Sequence, residues 1–143
     1  MSEYNESEMG VSDVDMTIDV GEGDKPVKDG EYELEVTGWQ VVVKEGRPFR
    51  VTADFKIVDE GEFNGYEARD MINLGNAIGI KQIRAYGSAS GVRKGGKISL
   101  KEEDNIGRRV KAFVSFDPKF MEANRPKRYL RPKEESGDEF GLG

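Results

Sequence analysis

The 143-residue sequence contains no cysteine and no histidine, and these two absences narrow its chemistry. Without cysteine there are no disulfides and no thiolate metal sites, and nothing indicates an oxidising compartment. Without histidine, the Ser-His and His-metal arrangements of most hydrolases are excluded, and acid-base work would fall to carboxylates, lysine or tyrosine. We therefore expect a protein that is not an enzyme and that holds no metal or other cofactor.

Long hydrophobic runs are also missing. The sequence has no apolar stretch long enough to span a bilayer, and its first 24 residues are acidic, so we expect neither a membrane span nor a signal peptide. Hydrophobic residues make up 36% of the chain and charged residues 35%. This composition allows one modest core, but the ends contain too few apolar residues to join it.

Basic residues are absent from both ends of the chain. Residues 1–24 carry eight acids and residues 134–143 carry four, and all 22 lysines and arginines lie in residues 25–133 with the remaining 16 acids. The net charge of −6 therefore divides into +6 for the middle and −12 for the ends. We predict one domain over residues 25–133 between two disordered acidic tails. Such tails either compete with a polyanion for the basic domain or only keep the protein soluble.

Alternating apolar and polar residues predict five strands and one helix. The first strand covers residues 30–43, and its apolar phase changes at Gly38, which indicates a β-bulge or a sharp bend. The other strands are predicted over residues 49–57, 66–74, 107–117 and 127–131, with a short helix over residues 76–90 and a loop over residues 118–126. The predicted fold is mainly β: a five-stranded OB-like Greek-key barrel with the helix between strands 3 and 4.

Two segments resemble catalytic motifs. Asp54-Phe55-Lys56 is similar to the end of a nuclease acid-x-lysine motif, followed by the carboxylates of Asp59, Glu60 and Glu62. A solvated strand face that runs into an acidic turn is the favoured explanation of these residues, because such triplets are common by chance. The segment from Gly91 to Ile98 nearly matches a phosphate-binding loop, but Ile98 replaces the required hydroxyl and the predicted helix precedes the segment instead of following it. A basic loop that touches a nucleic-acid backbone fits this segment better.

Aromatic residues interleaved with basic ones are the remaining pattern. Proteins bind single strands by stacking bases on aromatic or guanidinium planes beside a positive groove. The predicted nucleic-acid-binding residues are Trp39, Arg47, Arg50, Arg93, Lys94, Arg108, Arg109, Lys111, Phe113, Arg125, Lys127, Arg128, Tyr129 and Arg131. For Trp39 and Phe113 the alternative is a position in the core.

Four short motifs together resemble a known family. They are Asp29–Leu34, Phe63–Tyr66, Ile106–Val110 and Lys127–Leu130. Their order and spacing, over about residues 29–132, are similar to those of a family of bacteriophage replication-module proteins, long classed as of unknown function and regarded as single-stranded DNA-binding proteins of OB type. The resemblance implies a role in phage DNA replication or recombination, in the cytoplasm of the infected bacterial host.

The C-terminal residues Glu134–Phe140 are similar to the acidic, aromatic-ended tails through which such proteins recruit replication partners. By this resemblance Asp138, Glu139 and Phe140 would bind a replication or recombination protein. Three residues follow Phe140, which departs from the usual terminal aromatic.

The sequence therefore predicts sequence-independent binding of single-stranded DNA, with acidic tails that compete until DNA displaces them. The alternative is a protein-protein interaction module whose acidic tails mimic DNA. The oligomeric state stays open, a homodimer included, as do the site size and the preference between DNA and RNA.

Overall fold

A computed structural model describes residues 16–131 of the chain. The strands are β1 Gly30–Lys44, β2 Arg47–Ile57, β3 Glu67–Asn73, β4 Arg93–Lys94, β5 Lys97–Ile98, β6 Arg109–Asp117 and β7 Ala123–Leu130, and the helices are α1 Ala77–Ser90 and α2 Glu102–Asn105. The predicted mainly β class is confirmed. The tail residues Asp138, Glu139 and Phe140 lie outside the described residues. Within residues 16–131, no helix is long and apolar enough to cross a membrane.

Five strands form one antiparallel sheet in the order β3-β2-β1-β6-β7, and β4 and β5 form a separate small hairpin. The prediction of a closed barrel is wrong at the level of backbone pairing, because no ladder joins the edge strands β3 and β7 in the described part of the chain. One physical reason lies at Pro126 in β7. Its carbonyl accepts a hydrogen bond from Gln82 Nε2 of α1 (3.5 Å), and proline has no N–H to donate to a neighbouring strand.

The predicted irregularity in the first strand is confirmed. The pairing of β1 with β2 shifts between Val36, opposite Phe55, and Gly38, opposite Asp54, which leaves Thr37 as the extra residue of a β-bulge. A Cβ at position 38 would lie 2.7 Å from Asp54 Oδ2, so any larger residue would force the Asp54 carboxylate to move. Before the bulge β1 pairs with both β2 and β6, and beyond it only with β2, so one long strand serves two parts of the sheet.

The core lies between the inward face of the sheet and helix α1. Asn76 caps the N-terminus of the helix, because its side chain accepts a hydrogen bond from Gly79 N (2.8 Å), and Gly91 caps the C-terminus with a left-handed φ of 82°. Its buried residues are Gly79, Ile83, Tyr86 and Gly87. The inward strand residues bury completely or nearly so, as alternation predicts: Leu34, Val36, Val51, Ala53, Phe55, Ile57, Ala68, Ile72, Val110, Ala112 and Val114.

The last strand begins earlier than the sequence predicts. Residues 118–126 were expected as a loop, but β7 begins at Ala123. The reason is the fully buried Asn124, whose Nδ2 donates to the carbonyls of Lys25 and Glu67 (2.8 Å each) and whose Oδ1 accepts from Val27 N (3.0 Å). One side chain thus joins β7 to β3 and to the segment that precedes β1.

Candidate nucleic-acid interface

Two of the predicted stacking residues belong to the core. Trp39 is 6% exposed, donates its Nε1–H to the carbonyl of Leu100 (2.9 Å) and packs against Tyr86 with 5.3 Å between ring centroids. Tyr129 is also 6% exposed and donates its hydroxyl to Asp70 Oδ2 (2.8 Å). Burial of both faces leaves no room for a base, so the assignment of Trp39 and Tyr129 to the interface is corrected. For Trp39, the core alternative is the observed position.

Two predicted arginines hold the fold together. Arg108 donates from Nε to the carbonyl of Asp104 (2.6 Å) and from Nη1 to that of Ser90 (3.0 Å), so it joins the ends of α2 and α1. Arg93 donates from Nε to the carbonyl of Gly95 (2.7 Å) within the β4-β5 hairpin. Both guanidinium groups already use donors on the protein, which leaves fewer for a phosphate.

The outward face of β6 is electrostatically mixed. Arg109 forms ion pairs with Glu33 (3.8 Å) and Glu35 (3.4 Å) of β1. Lys111 is paired in register with Glu33 but has no ion pair within 4.0 Å among residues 16–131. The row of outward glutamates on β1 therefore offsets much of the positive charge here.

Phe113 is a half-buried ring on the same outward face. Its neighbour across the sheet in β7 is Arg128, whose guanidinium carbon lies 5.9 Å from the ring centroid, at the outer limit of a cation-π contact. Phe113 is neither fully in the core nor fully exposed. We name Lys111, Phe113 and Arg128 the β6 face.

The other basic residues of β7 are engaged by carboxylates. Lys127 Nζ lies 3.2 Å from Asp117 Oδ2, and this contact holds the pKa of Asp117 below its ordinary value. Arg125 lies 3.7 Å from Asp70 and 4.0 Å from Asp117, with its guanidinium 4.3 Å from the centre of the Phe120 ring. The remaining predicted bases, Lys94 and Arg131, are exposed.

A second basic surface surrounds the turn between β1 and β2. Arg47 is exposed at the turn, and Lys44 lies opposite it with its Nζ 5.0 Å from the centre of the half-buried Phe49 ring. Arg50 points outward from β2, and its Nε is buried without a hydrogen-bond partner in the described part of the chain. Among residues 16–131, none of these three cations forms an ion pair. Glu45 is the carboxylate within this turn.

The sheet beside this turn is free of carboxylates over two outward rows. The rows, each read from β1 through β2 to β3, are Val42-Arg50-Asn73 and Gln40-Thr52-Met71. The next row, at Gly38, is closed by an ion pair between Asp54 and Arg69 at 2.6 Å. We name Lys44, Arg47, Arg50 and these two rows the turn face.

The structure therefore divides the predicted site in two. Arg47 and Arg50 lie on the turn face, Lys111, Phe113 and Arg128 lie on the β6 face, and the first half of β1 with its glutamates borders only the latter. The prediction missed Lys44, Phe49 and Asn73. Lys44 and Phe49 flank the turn that contains Arg47, so their closeness to this turn in the sequence could have identified them as site residues. Asn73 becomes a neighbour of Arg50 only through strand pairing.

The nuclease-like triplet has no metal-binding setting in the described residues. The carboxylate of Asp54 is bound to Arg69, and residues 16–131 contain no group of three or more acidic side chains placed to hold a metal ion. The fold and surface define a small antiparallel β-sheet protein with a basic turn face and a separate β6 face of mixed charge. In comparisons with known proteins, neither a protein-family model nor a curated protein matches this chain.

Proposed function

We propose that this protein binds single-stranded DNA without catalysis, through the turn face of an OB-like sheet. The observation that carries the proposal is the group of three cations without ion pairs, Lys44, Arg47 and Arg50, beside two outward rows that lack carboxylates. OB-folds bind oligonucleotides on the face formed by strands 2 and 3 and on the adjoining loop between strands 1 and 2. The turn face occupies the same place in the strand order.

The OB-like assignment is supported by topology. The sheet order β3-β2-β1-β6-β7 has its long helix between the third and fourth long strands, and OB-folds are partly open Greek-key barrels. The edge strands β3 and β7 are bridged by side chains, with Asn124 bound to Glu67 and Tyr129 bound to Asp70. We assign the fold to this class on that arrangement.

In the proposed mode of binding, the backbone of the strand crosses β2 and β3 beside the turn. Arg47 and Arg50 neutralise phosphates, and the bases rest on the partly exposed apolar surface of Phe49, Val42 and Met71. Contacts of this kind need no particular base sequence, because every base has a flat face and every nucleotide a phosphate. The β6 face, with Phe113 next to Arg128, is the second position at which a strand could stack.

The biological setting rests on the sequence resemblance alone. A role in phage DNA replication or recombination, membership of that phage family and location in the host cytoplasm remain predictions. Competition by the acidic tails and recruitment of a partner through Asp138, Glu139 and Phe140 also remain predictions.

A salt titration with a paired-charge control tests the proposal. The full chain is titrated with a fluorescent single-stranded oligonucleotide at several salt concentrations, and Arg47→Ala/Arg50→Ala is compared with Lys81→Ala/Arg84→Ala. The control removes two exposed bases from α1. Since each phosphate contact contributes about 0.7 to the logarithmic salt slope for single strands, the first variant should lower the slope by about 1.4 and weaken binding about tenfold. The control should change little.

Equal losses in both variants, salt-independent binding or no binding would contradict the proposal. Duplex DNA and RNA of matched length, measured at physiological salt, define the preference of the site.

The second candidate function is protein binding, favoured by the apolar side chains of Met16, Ile18 and Val20, which are 78%, 82% and 82% exposed. A pull-down with and without nuclease separates the two, because partners of a strand-binding protein should be lost when DNA is digested.

A further inference from the structure

A pocket of about 420 Å³ opens between β3, the start of α1 and β7. Its size is within the range of small-molecule sites, roughly 300 to 1,000 Å³. Met71 and Asn73, which line the pocket, also belong to the outward rows of the turn face. A single-stranded DNA chain that crosses the turn face would therefore meet this pocket where it passes over β3.

The floor of the pocket holds a buried carboxylate with one unused oxygen. The side chain of Asp70 is 1% exposed, and its Oδ2 accepts hydrogen bonds from the Tyr129 hydroxyl (2.8 Å) and from Gln82 Nε2 (3.1 Å). Asp70 Oδ1 accepts none from the described residues. Buried carboxylate oxygens are normally hydrogen-bonded, and leaving one unpaired is unfavourable. This oxygen is therefore an acceptor that lacks a donor.

The nearest cation does not supply that donor. Arg125 Nε lies 3.7 Å from Asp70 Oδ1, beyond hydrogen-bond distance, and Arg125 Nη1 lies 4.0 Å from Asp117 Oδ2. The guanidinium also rests over the Phe120 ring at 4.3 Å. Arg125 thus contacts Asp70, Asp117 and the Phe120 ring without giving Asp70 Oδ1 a hydrogen bond, and access of a ligand to this oxygen requires the guanidinium to turn toward the rim.

The walls of the pocket suit a planar polar ring. The 82%-exposed Ile78 and the half-buried Met71 provide apolar surface. Asn73 and Asn76 provide amide Nδ2 donors, while their Oδ1 atoms accept hydrogen bonds from Gly75 N and Gly79 N. Lys127 stands at the rim with Arg125. Apolar walls, an acceptor at the floor and cations at the rim are together the features that a nucleotide requires.

We propose that this pocket takes one base of the bound strand, whose exocyclic amino group donates to Asp70 Oδ1 while the adjacent phosphate contacts Arg125 or Lys127. This inference rests on the proposed function, because the strand is delivered across the turn face. Cytosine suits the site and thymine does not. The cytosine N4 amino group is a donor that carboxylates accept, whereas the thymine O4 would place an acceptor against the carboxylate oxygen.

Oligo-dC and oligo-dT of equal length are the matched probes, since the two bases are pyrimidines of similar size. Binding of each to the full chain is measured by fluorescence anisotropy, for the unchanged protein, Asp70→Asn and the control Glu60→Gln. Glu60→Gln removes the same charge at an exposed position away from the pocket. We expect about a tenfold preference for oligo-dC in the unchanged protein and in the control. In Asp70→Asn the preference should fall to less than about threefold, because the amide can also donate to thymine O4.

A second variant keeps the test decisive if Asp70→Asn folds poorly. Ile78→Ala alters an exposed wall of the pocket, so it should retain its unfolding midpoint while weakening oligo-dC binding several-fold more than oligo-dT binding. Equal affinity for the two probes with a normal salt dependence would overturn the pocket and leave the proposed function intact. A preference unchanged in both variants would also overturn it. Failure to bind either probe would overturn both.

Discussion

At the scale of single residues, the burial of Asp70 predicts how the free energy of unfolding depends on pH. Burial raises the pKa of Asp70 above its ordinary value of 3.8. A carboxyl with a raised folded-state pKa stabilises the fold fully below its ordinary pKa, and this contribution is lost as the pH rises through the folded value. The unchanged protein should therefore lose stability as the pH rises from 3.8 through the raised folded-state pKa of Asp70, and Asp70→Asn should not show this loss.

Urea unfolding over a series of pH values checks this prediction through the difference between the two proteins. The difference is needed because Asp117 acts in the opposite direction: its lowered pKa gives stability that is lost as the pH falls through the folded value. Subtraction removes the contribution of Asp117, which both proteins share. Parallel pH profiles for the unchanged protein and Asp70→Asn would contradict the assignment.

Asp70 also marks the limit of what alternation can predict at single positions. Ala68 and Ile72 were placed inward by the period of two, and position 70 has the same phase, but a charged residue is rarely assigned to a core. Its burial depends on Gln82 and Tyr129, and Tyr129 is 59 residues further along the chain. No local pattern contains those partners. The same holds for Trp39, whose indole partner is the carbonyl of Leu100.

At the scale of elements, the sequence predicts the first half of the sheet well. The bulge at Gly38 and the helix that ends before Gly91 both follow from local chemistry: a phase change at a glycine, and a helical spacing followed by a left-handed glycine. The start of β7 does not follow, because Asn124 and Pro126 are poor strand formers. Tertiary hydrogen bonds of Asn124 impose the strand there.

Asn124 should therefore stabilise the packing of β7 against β3 and against the segment before β1. Asn124→Ala removes three hydrogen bonds and leaves the buried Val27 N–H without its acceptor, so we expect a loss of about 3 kcal/mol in the free energy of unfolding. Urea unfolding measures the loss, and limited proteolysis should detect earlier cleavage near Lys25. Asn124→Asp is the second variant: it keeps the acceptor for Val27 but places a buried carboxylate against the carbonyls of Lys25 and Glu67, so at neutral pH it should lose at least as much as Asn124→Ala. A loss below about 1 kcal/mol in Asn124→Ala would contradict the role assigned to these three hydrogen bonds.

At the scale of the whole molecule, the segregation of charge along the sequence predicts a basic domain but not how the charges are arranged on its surface. The structure engages Arg109, Arg125 and Lys127 with carboxylates, while Arg47 and Arg50 remain outside ion pairs in the described residues. A linear count cannot separate these cases, because each ion pair joins different strands. The turn face remained free because its two outward rows contain no acid. Net charge thus favours attraction of a polyanion, and strand register sets which cations are left without an ion pair in the described residues.

The acidic ends give the last prediction, because they place 12 acids and no base in residues 1–24 and 134–143. Removal of residues 134–143 deletes four of these acids, so the oligonucleotide should bind more tightly, with an increase of about tenfold at low salt. The increase should disappear near 1 M salt, where the Debye length is only about 3 Å. A full-length chain with Glu134, Glu135, Asp138 and Glu139 changed to their amides separates charge from length. If the tail competes with DNA electrostatically, this chain behaves like the truncation, whereas binding like that of the unchanged protein would show that its charge plays no part.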